Sequence, residues 1–211
     1  MSASFDIARV KRGQTAFGPA VTITAAMQAG VLDWVGSEKW VEDQSPTLVA
    51  SRTKRRCLLR FVKNASGITL KGKRLVRFKD GTMGSQVDGY THQVGQGAYA
   101  VTDEYLPSGG VRDGDYFWVV IRGPSIAKTS TISDAQITIA NNSLLIADTA
   151  ASSQNETNAG RIRVFSVADP TDATVALQNH NNANNALGRA QSAITSGQTD
   201  SDILVEVDYH R

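Results

Sequence analysis

The side chains able to do chemistry are few and scattered. His92, His180 and His210 each lie in polar or loop-like stretches, and none shows metal-ligand spacing. Cys57 is the single cysteine, which excludes an intramolecular disulfide and a cysteine-rich zinc site. It sits inside Cys57-Leu-Leu-Arg-Phe-Val62, where it reads as a small buried hydrophobe rather than a nucleophile. Asp103-Glu104 and Asp113/Asp115 are nominal carboxylate pairs of the kind glycoside hydrolysis needs, but both fall in turns, where solvated acids are expected. Asp113-Gly-Asp115 also looks like a fragment of a calcium loop, without the later acidic ligands. There is no Gly-x-Ser-x-Gly elbow, and Gly95-Gln-Gly97 lacks the rest of a dinucleotide fingerprint. The expectation is a protein without enzymatic activity, cofactor or metal, working through its surface.

Charge is the stronger signal. The net charge of +2 conceals an asymmetry: residues 1–79 hold 15 of the 22 Lys/Arg and 5 of the 20 Asp/Glu, a net of +10, whereas residues 80–211 carry a net of −8. Such a split bears on partners rather than on fold. It fits nucleic-acid binding by the front, docking on an acidic protein surface, or head-to-tail contact between copies. The densest basic cluster is Arg52-Thr-Lys-Arg-Arg56, followed by Arg60 and Lys63. A nucleic-acid groove needs exposed aromatics for stacking as well as charge. The nearest aromatics, Phe61 and Phe78, fall on faces patterned as core, so a solvated face or a salt-bridged interface is expected instead.

The elements that must position these charges are short and strand-like. From about residue 51, Arg56–Val62 alternates, Asn64-Ala-Ser-Gly67 is a turn, and Ile68–Leu70 and Arg74–Phe78 are further short strands. Tyr116–Ile121 is apolar on both faces, as a central strand buried on both sides would be. Gln136–Ala140 and Ser143–Ala147 flank Asn141-Asn142, a hairpin pattern. Arg161–Val167 and Ile203–Tyr209 alternate; in the latter Ile203, Val205, Val207 and Tyr209 face in. The Asn-rich tract Leu177–Asn185 reads as a solvated loop.

Residues 1–50 differ from the rest. Val21–Thr24 and Ala25–Leu32 could form a short strand and a short helix, but neither carries enough periodicity for a core. Phe5, Ile7, Val10, Phe17, Trp34 and Trp40 are unusual residues to leave in water, which points to an arm that orders against a neighbour. The fold expected is mainly β: a small β-barrel or sandwich over 51–211, with an extended N-terminal arm over 1–50. No stretch reaches the roughly 18 apolar residues of a membrane helix, and the start lacks an apolar signal-peptide core. A soluble protein made in the cytoplasm is expected.

The second half resembles the capsid decoration (cement) proteins of tailed bacteriophages. The resemblance rests on Gly114-Asp-Tyr-Phe-Trp-Val-Val-Ile-Arg-Gly-Pro124, on Ile139–Ile146 with Ala-Gly160 later, and on Leu187-Gly-Arg-Ala190 before Ile203–Val207. In the family's pattern the first of these is a strand that ends in a charged residue and Gly-Pro. Phe61–Val76 also suits such proteins. The resemblance covers residues 57–209 loosely and the first fifty hardly at all. It implies a homotrimeric virion protein on the capsid exterior, bound over junctions of the major capsid protein. Phe5, Arg9, Lys11, Arg12, Phe17, Arg52, Lys54, Arg55 and Arg56 are then the expected capsid or inter-subunit contacts. The alternatives are another phage structural protein, of head completion or tail, or a nucleic-acid-binding β-barrel using the basic front.

Overall fold

A computed structural model describes residues 35–42, 56–90, 99–131, 138–148, 157–165, 186–195 and 198–208, with isolated positions between 173 and 180. The protein is mainly β. Among the described residues the strands are β1 (Glu38–Glu42), β2 (Arg56–Asn64), β3 (Leu75–Phe78), β4 (Gln86–Tyr90), β5 (Tyr99–Thr102), β6 (Tyr116–Lys128), β7 (Leu144–Ala147), β8 (Ile162–Val164), β9 (Gly188–Ala190) and β10 (Asp202–Asp208). They form one sheet in the order β1-β2-β4-β3-β5-β6-β10-β9-β7-β8.

The sheet curls because β6 has different partners along its length. Its first half pairs antiparallel with β2, from Lys63↔Tyr116 to Leu58↔Arg122, and with β5 at Val101↔Val120. The β2–β6 ladder closes β2-β4-β3-β5-β6 into a partial ring. The second half of β6 leaves β2 and pairs with β10, from Asp208↔Arg122 to Asp202↔Lys128. From β10 the sheet continues through β9 and β7 to β8, and a single parallel bridge, Thr129↔Ile162, returns β8 to the end of β6.

Side-chain alternation along β6 then fills two apolar clusters. Phe117, Val119 and Ile121 join Val62, Leu70, Val76, Phe78 and Val87 in the smaller one. Trp118 and Val120 join Leu59, Phe61, Leu145, Ile162, Ile203 and Val205 in the larger. Tyr116–Ile121 is thus buried on both faces apart from half-buried Tyr116, as its sequence predicts. Cys57 is buried in the larger cluster, and Ile203, Val205 and Val207 face in, with Leu204 buried beside them.

Three local expectations are corrected. The Gly-Pro pair does not end the strand: β6 runs on through Gly123-Pro124 to Lys128. Gly123 supplies a φ of +92°, and Pro124, with no N–H, falls where β6 has left β2 and follows β10 instead. Asn141-Asn142 does form a turn, closed by Ser143 N–H to the Ala140 carbonyl at 3.1 Å, with Asn142 at a φ of +69°. Among the described residues its flanks do not pair with each other, however: β7 pairs with β8 and β9, and Ile139 bridges Ile194. Leu70 makes an isolated bridge to Val111 in place of the expected strand. Within the stretch expected as an arm, Glu38–Glu42 is strand β1, paired with Arg56–Arg60 of β2.

Buried polar groups join the turns to the ring. Asn64, fully buried, donates Nδ2 to the carbonyls of Ile68 (2.8 Å) and Val111 (3.1 Å), while its Oδ1 accepts from the backbone N–H and hydroxyl of Ser66. The Asn64–Gly67 turn is therefore braced by the Asn64 side chain, consistent with the Asx chemistry of its sequence.

Candidate contact surface

β1 presents two different faces. Lys39 and Val41 point to the larger core: the Lys39 ammonium lies 4.1 Å from the Trp118 ring centroid, and Val41 packs on the cluster. Burial holds the Lys39 amine below the usual lysine range, against the opposing pull of the Asp103 charge. Glu38, Trp40 and Glu42 fall on the other, exposed face. Across the strand pair they meet Arg60, Leu58 and Arg56 respectively. Trp40 is 55% exposed, an uncommon state for an indole held in a sheet.

Arg60 organises this face. Its Nε donates to Glu38 Oε1 at 2.9 Å, its second guanidinium arm bonds the same oxygen, and its guanidinium carbon lies 5.3 Å from the Phe78 ring centroid. Of the two readings of the basic run, a solvated face or a salt-bridged interface, Arg60 departs from the first and is salt-bridged within the chain. Arg60 is only 2% exposed, because it is folded between Glu38, Phe78 and the β3–β4 turn. Gly84 leaves no room for a Cβ beside that guanidinium, so the turn closes directly on it. Next to Gly84, Met83 is held at a φ of +52° and is 98% exposed. Two exposed apolar side chains, Trp40 and Met83, thus belong to the strand and the turn that the half-buried Arg60–Glu38 pair touches.

Of the expected contact residues, Arg56 is described: it is exposed at the start of β2, opposite Glu42. Phe5, Arg9, Lys11, Arg12, Phe17, Arg52, Lys54 and Arg55 lie outside the described residues. Trp40 was legible as an apolar residue in a polar stretch. Met83 was not, although the glycines at 81 and 84 around it signal a turn that displays its middle.

Two of the turn acids brace backbone. Asp103 is buried and accepts the Tyr105 N–H at 3.2 Å, and Asp113 accepts the Gly67 N–H at 2.8 Å. Asp115 is buried in the turn before β6. Its burial pushes the carboxyl up, opposed by a hydrogen bond from the Arg112 backbone. Among the described residues no group of three or more His, Cys, Asp and Glu is placed to hold a metal ion.

A second charged cluster fastens the end of β6 to the start of β10. Lys73 and Lys128 both bind Asp202, the latter at 2.9 Å, and Arg161 binds Asp200 while donating to the Thr129 carbonyl at 2.7 Å. Burial alone would raise Asp202, but hydrogen bonds from Lys73 and Lys128 outweigh it and hold the carboxyl below its ordinary 3.8. Asp200 is depressed in the same way, burial being outweighed by Arg161. A depressed folded-state carboxyl contributes stability that is present above the ordinary aspartate value and lost as pH falls through the lower folded value. The Asp200→Asn/Asp202→Asn variant should therefore lose about 1 kcal/mol at pH 7, these carboxylates being partly exposed. It should also fall less steeply in stability than the parent below about pH 4, near the unfolded-chain aspartate value. Denaturant titrations followed by circular dichroism across pH 2–7 measure both; parallel curves for the two proteins would contradict the assignment.

Comparisons with protein families, with curated proteins and with solved structures gave no match to this chain. What the fold and the surface define is coarse: a mainly β protein that exposes Trp40 and Met83 and carries an exposed Arg56 at the start of β2.

Proposed function

We propose that this chain is a decoration (cement) protein of a tailed-bacteriophage head, binding as a homotrimer on the capsid exterior across junctions of the major capsid protein. The observation that carries the proposal is the contact face: Trp40 and Met83 stand in solvent on a framework held by Arg60, next to basic Arg56. The resemblance adds support, since its segments fall on β6, on β7, on β9 and on β10, all within one sheet.

Such a role needs no bond making. Each copy adds buried area across a capsid joint, and symmetric repetition multiplies the effect. The basic residues Arg9, Lys11, Arg12, Arg52, Lys54, Arg55 and Arg56 would orient the protein toward an acidic capsid surface and raise the on-rate. Phe5 and Phe17, with Trp40, would slow dissociation.

The test is co-sedimentation of the purified protein with expanded phage heads at moderate salt. Full-length protein should bind, and a variant lacking residues 1–20 should keep the parent circular-dichroism spectrum while losing at least tenfold in capsid occupancy. Equal occupancy by the two proteins would overturn the assigned role of the front. Failure of the full chain to bind heads, combined with salt-dependent binding to single-stranded DNA, would replace the proposal with a nucleic-acid role.

A further inference from the structure

An Asp-Gly pair can rearrange without an enzyme, because glycine has no side chain to hinder attack of its own backbone nitrogen on the preceding carboxyl. The chain carries three such pairs, Asp80-Gly81, Asp88-Gly89 and Asp113-Gly114, which the dipeptide alone ranks equally. The fold separates them.

Two of the three are tied down. The Arg77 guanidinium holds both carboxylate oxygens of Asp88, its Nε donating to Oδ1 at 3.0 Å, and Gly89 lies in β4 opposite Arg77. Asp113 is exposed, yet its Oδ1 accepts the Gly67 N–H at 2.8 Å, and the Gly114 N–H donates to the Asn64 carbonyl at 2.8 Å. A carboxyl and a nitrogen held by separate partners must break those bonds before they can meet.

Asp80-Gly81 has neither restraint. Both residues are exposed, at the centre of a turn closed by the Thr82 N–H on the Lys79 carbonyl at 3.3 Å. Among the described residues neither the Asp80 carboxylate nor the Gly81 N–H has a hydrogen-bond partner, and Asp80 acts on Arg77 through its charge. No atom lies within 4 Å of a Cβ built on Gly81, so the surroundings of that residue are open.

We propose that Asp80 is a site of spontaneous isoaspartate formation, and that the fold protects Asp88 and Asp113 from the same reaction. The Gly81 nitrogen attacks Asp80 Cγ. The N–Cγ bond forms, and the Gly81 amide proton leaves with the carboxyl hydroxyl as water. A second water opens the resulting succinimide. Attack at Cγ restores aspartate, whereas attack at the Asp80 main-chain carbonyl leaves the chain running through Cβ and Cγ. The product keeps the composition and charge of the parent, with one more methylene in the backbone and the main-chain carboxylate free. That methylene falls in the turn that carries Met83 and Gly84, and Gly84 is where the turn closes on the Arg60 guanidinium. The reaction needs only the chain and water, so it stands or falls apart from the capsid assignment.

The test ages the purified full-length protein at neutral pH, native and denatured in guanidinium. Each site is then mapped with a protease that cleaves before aspartate but not before isoaspartate. Native Asp80 should convert within about threefold of its rate in the denatured chain, while Asp88 and Asp113 should be at least tenfold slower than in theirs, because they wait for local opening. A species lighter by one water should precede the product at Asp80, and Asp80→Glu should abolish both, since its side chain would have to close a larger ring. Conversion of Asp80 tenfold or more slower in the native protein than in the denatured chain would overturn the assignment. Equal native rates at the three sites would overturn it as well.

Discussion

Replacing Gly123 with alanine should destabilise the protein by about 3–5 kcal/mol, the sum of a positive-φ penalty and backbone overpacking. Gly123 sits at a φ of +92°, which a residue with a Cβ rarely adopts. A Cβ there would come within 2.6 Å of the Arg56 carbonyl oxygen and 2.9 Å of Cys57 Cα. Both atoms are backbone of β2, so no side chain can rotate away. The position is also where β6 exchanges β2 for β10, so a shift that relieves the clash pulls on both halves of the sheet. The loss is a large share of the 5–15 kcal/mol typical of a folded domain. Gly109→Ala is the control, since no atom lies within 4 Å of its added Cβ and its φ is not positive; it should stay within about 0.5 kcal/mol. Guanidinium titrations of the three proteins provide the comparison, and a Gly123→Ala midpoint equal to the control's would mean that β6 does not need glycine to change partners.

The same position shows why the sequence was readable in parts. Tyr116–Ile121 declares itself because six consecutive apolar residues leave no face for water, and β10 because apolar residues recur at Ile203, Val205 and Val207. Gly123-Pro124 reads locally as a stop, yet the strand continues because a partner 78 or more residues away, Asp202–Asp208, receives it. Asn141-Asn142 fails in the complementary way. The turn chemistry is right, but the choice of strand partner is nonlocal, and Leu144-Leu145 finds Gly188-Arg189 instead of the segment just before it. β1 was hidden for a third reason. Glu38-Lys-Trp-Val-Glu42 is five residues with only two facing inward, and what anchors it, Trp118 under Lys39 and Arg60 against Glu38, lies elsewhere in the sequence. The contact face inherits that opacity. A run of arginines looks uniformly solvated until the fold singles out Arg60 for burial and leaves Arg56 exposed.

Trp118→Ala should cost about 3–5 kcal/mol, the usual range for emptying a large aromatic site in a close-packed core. The ring is 1% exposed, with its centroid 4.9 Å from that of Phe61 in a tilted contact, and it lies in the larger cluster that draws on β2, β6 and β10. Trp118→Phe keeps most of the volume and should cost roughly half as much, because the transfer and cavity terms both shrink. The ammonium of Lys39 provides a separable contribution. Mutating Lys39 to Met and Trp118 to Leu in a double-mutant cycle should give a coupling of about 0.5–1 kcal/mol, the size of a cation–π contact at a partly exposed site. A Trp118→Ala loss below about 1 kcal/mol would contradict its place in the core, and a coupling of zero would remove Lys39 from the account. The two results together decide how β1 is aimed. Lys39 and Trp40 point to opposite faces of the same strand, so seating the lysine on the Trp118 ring is consistent with the outward indole.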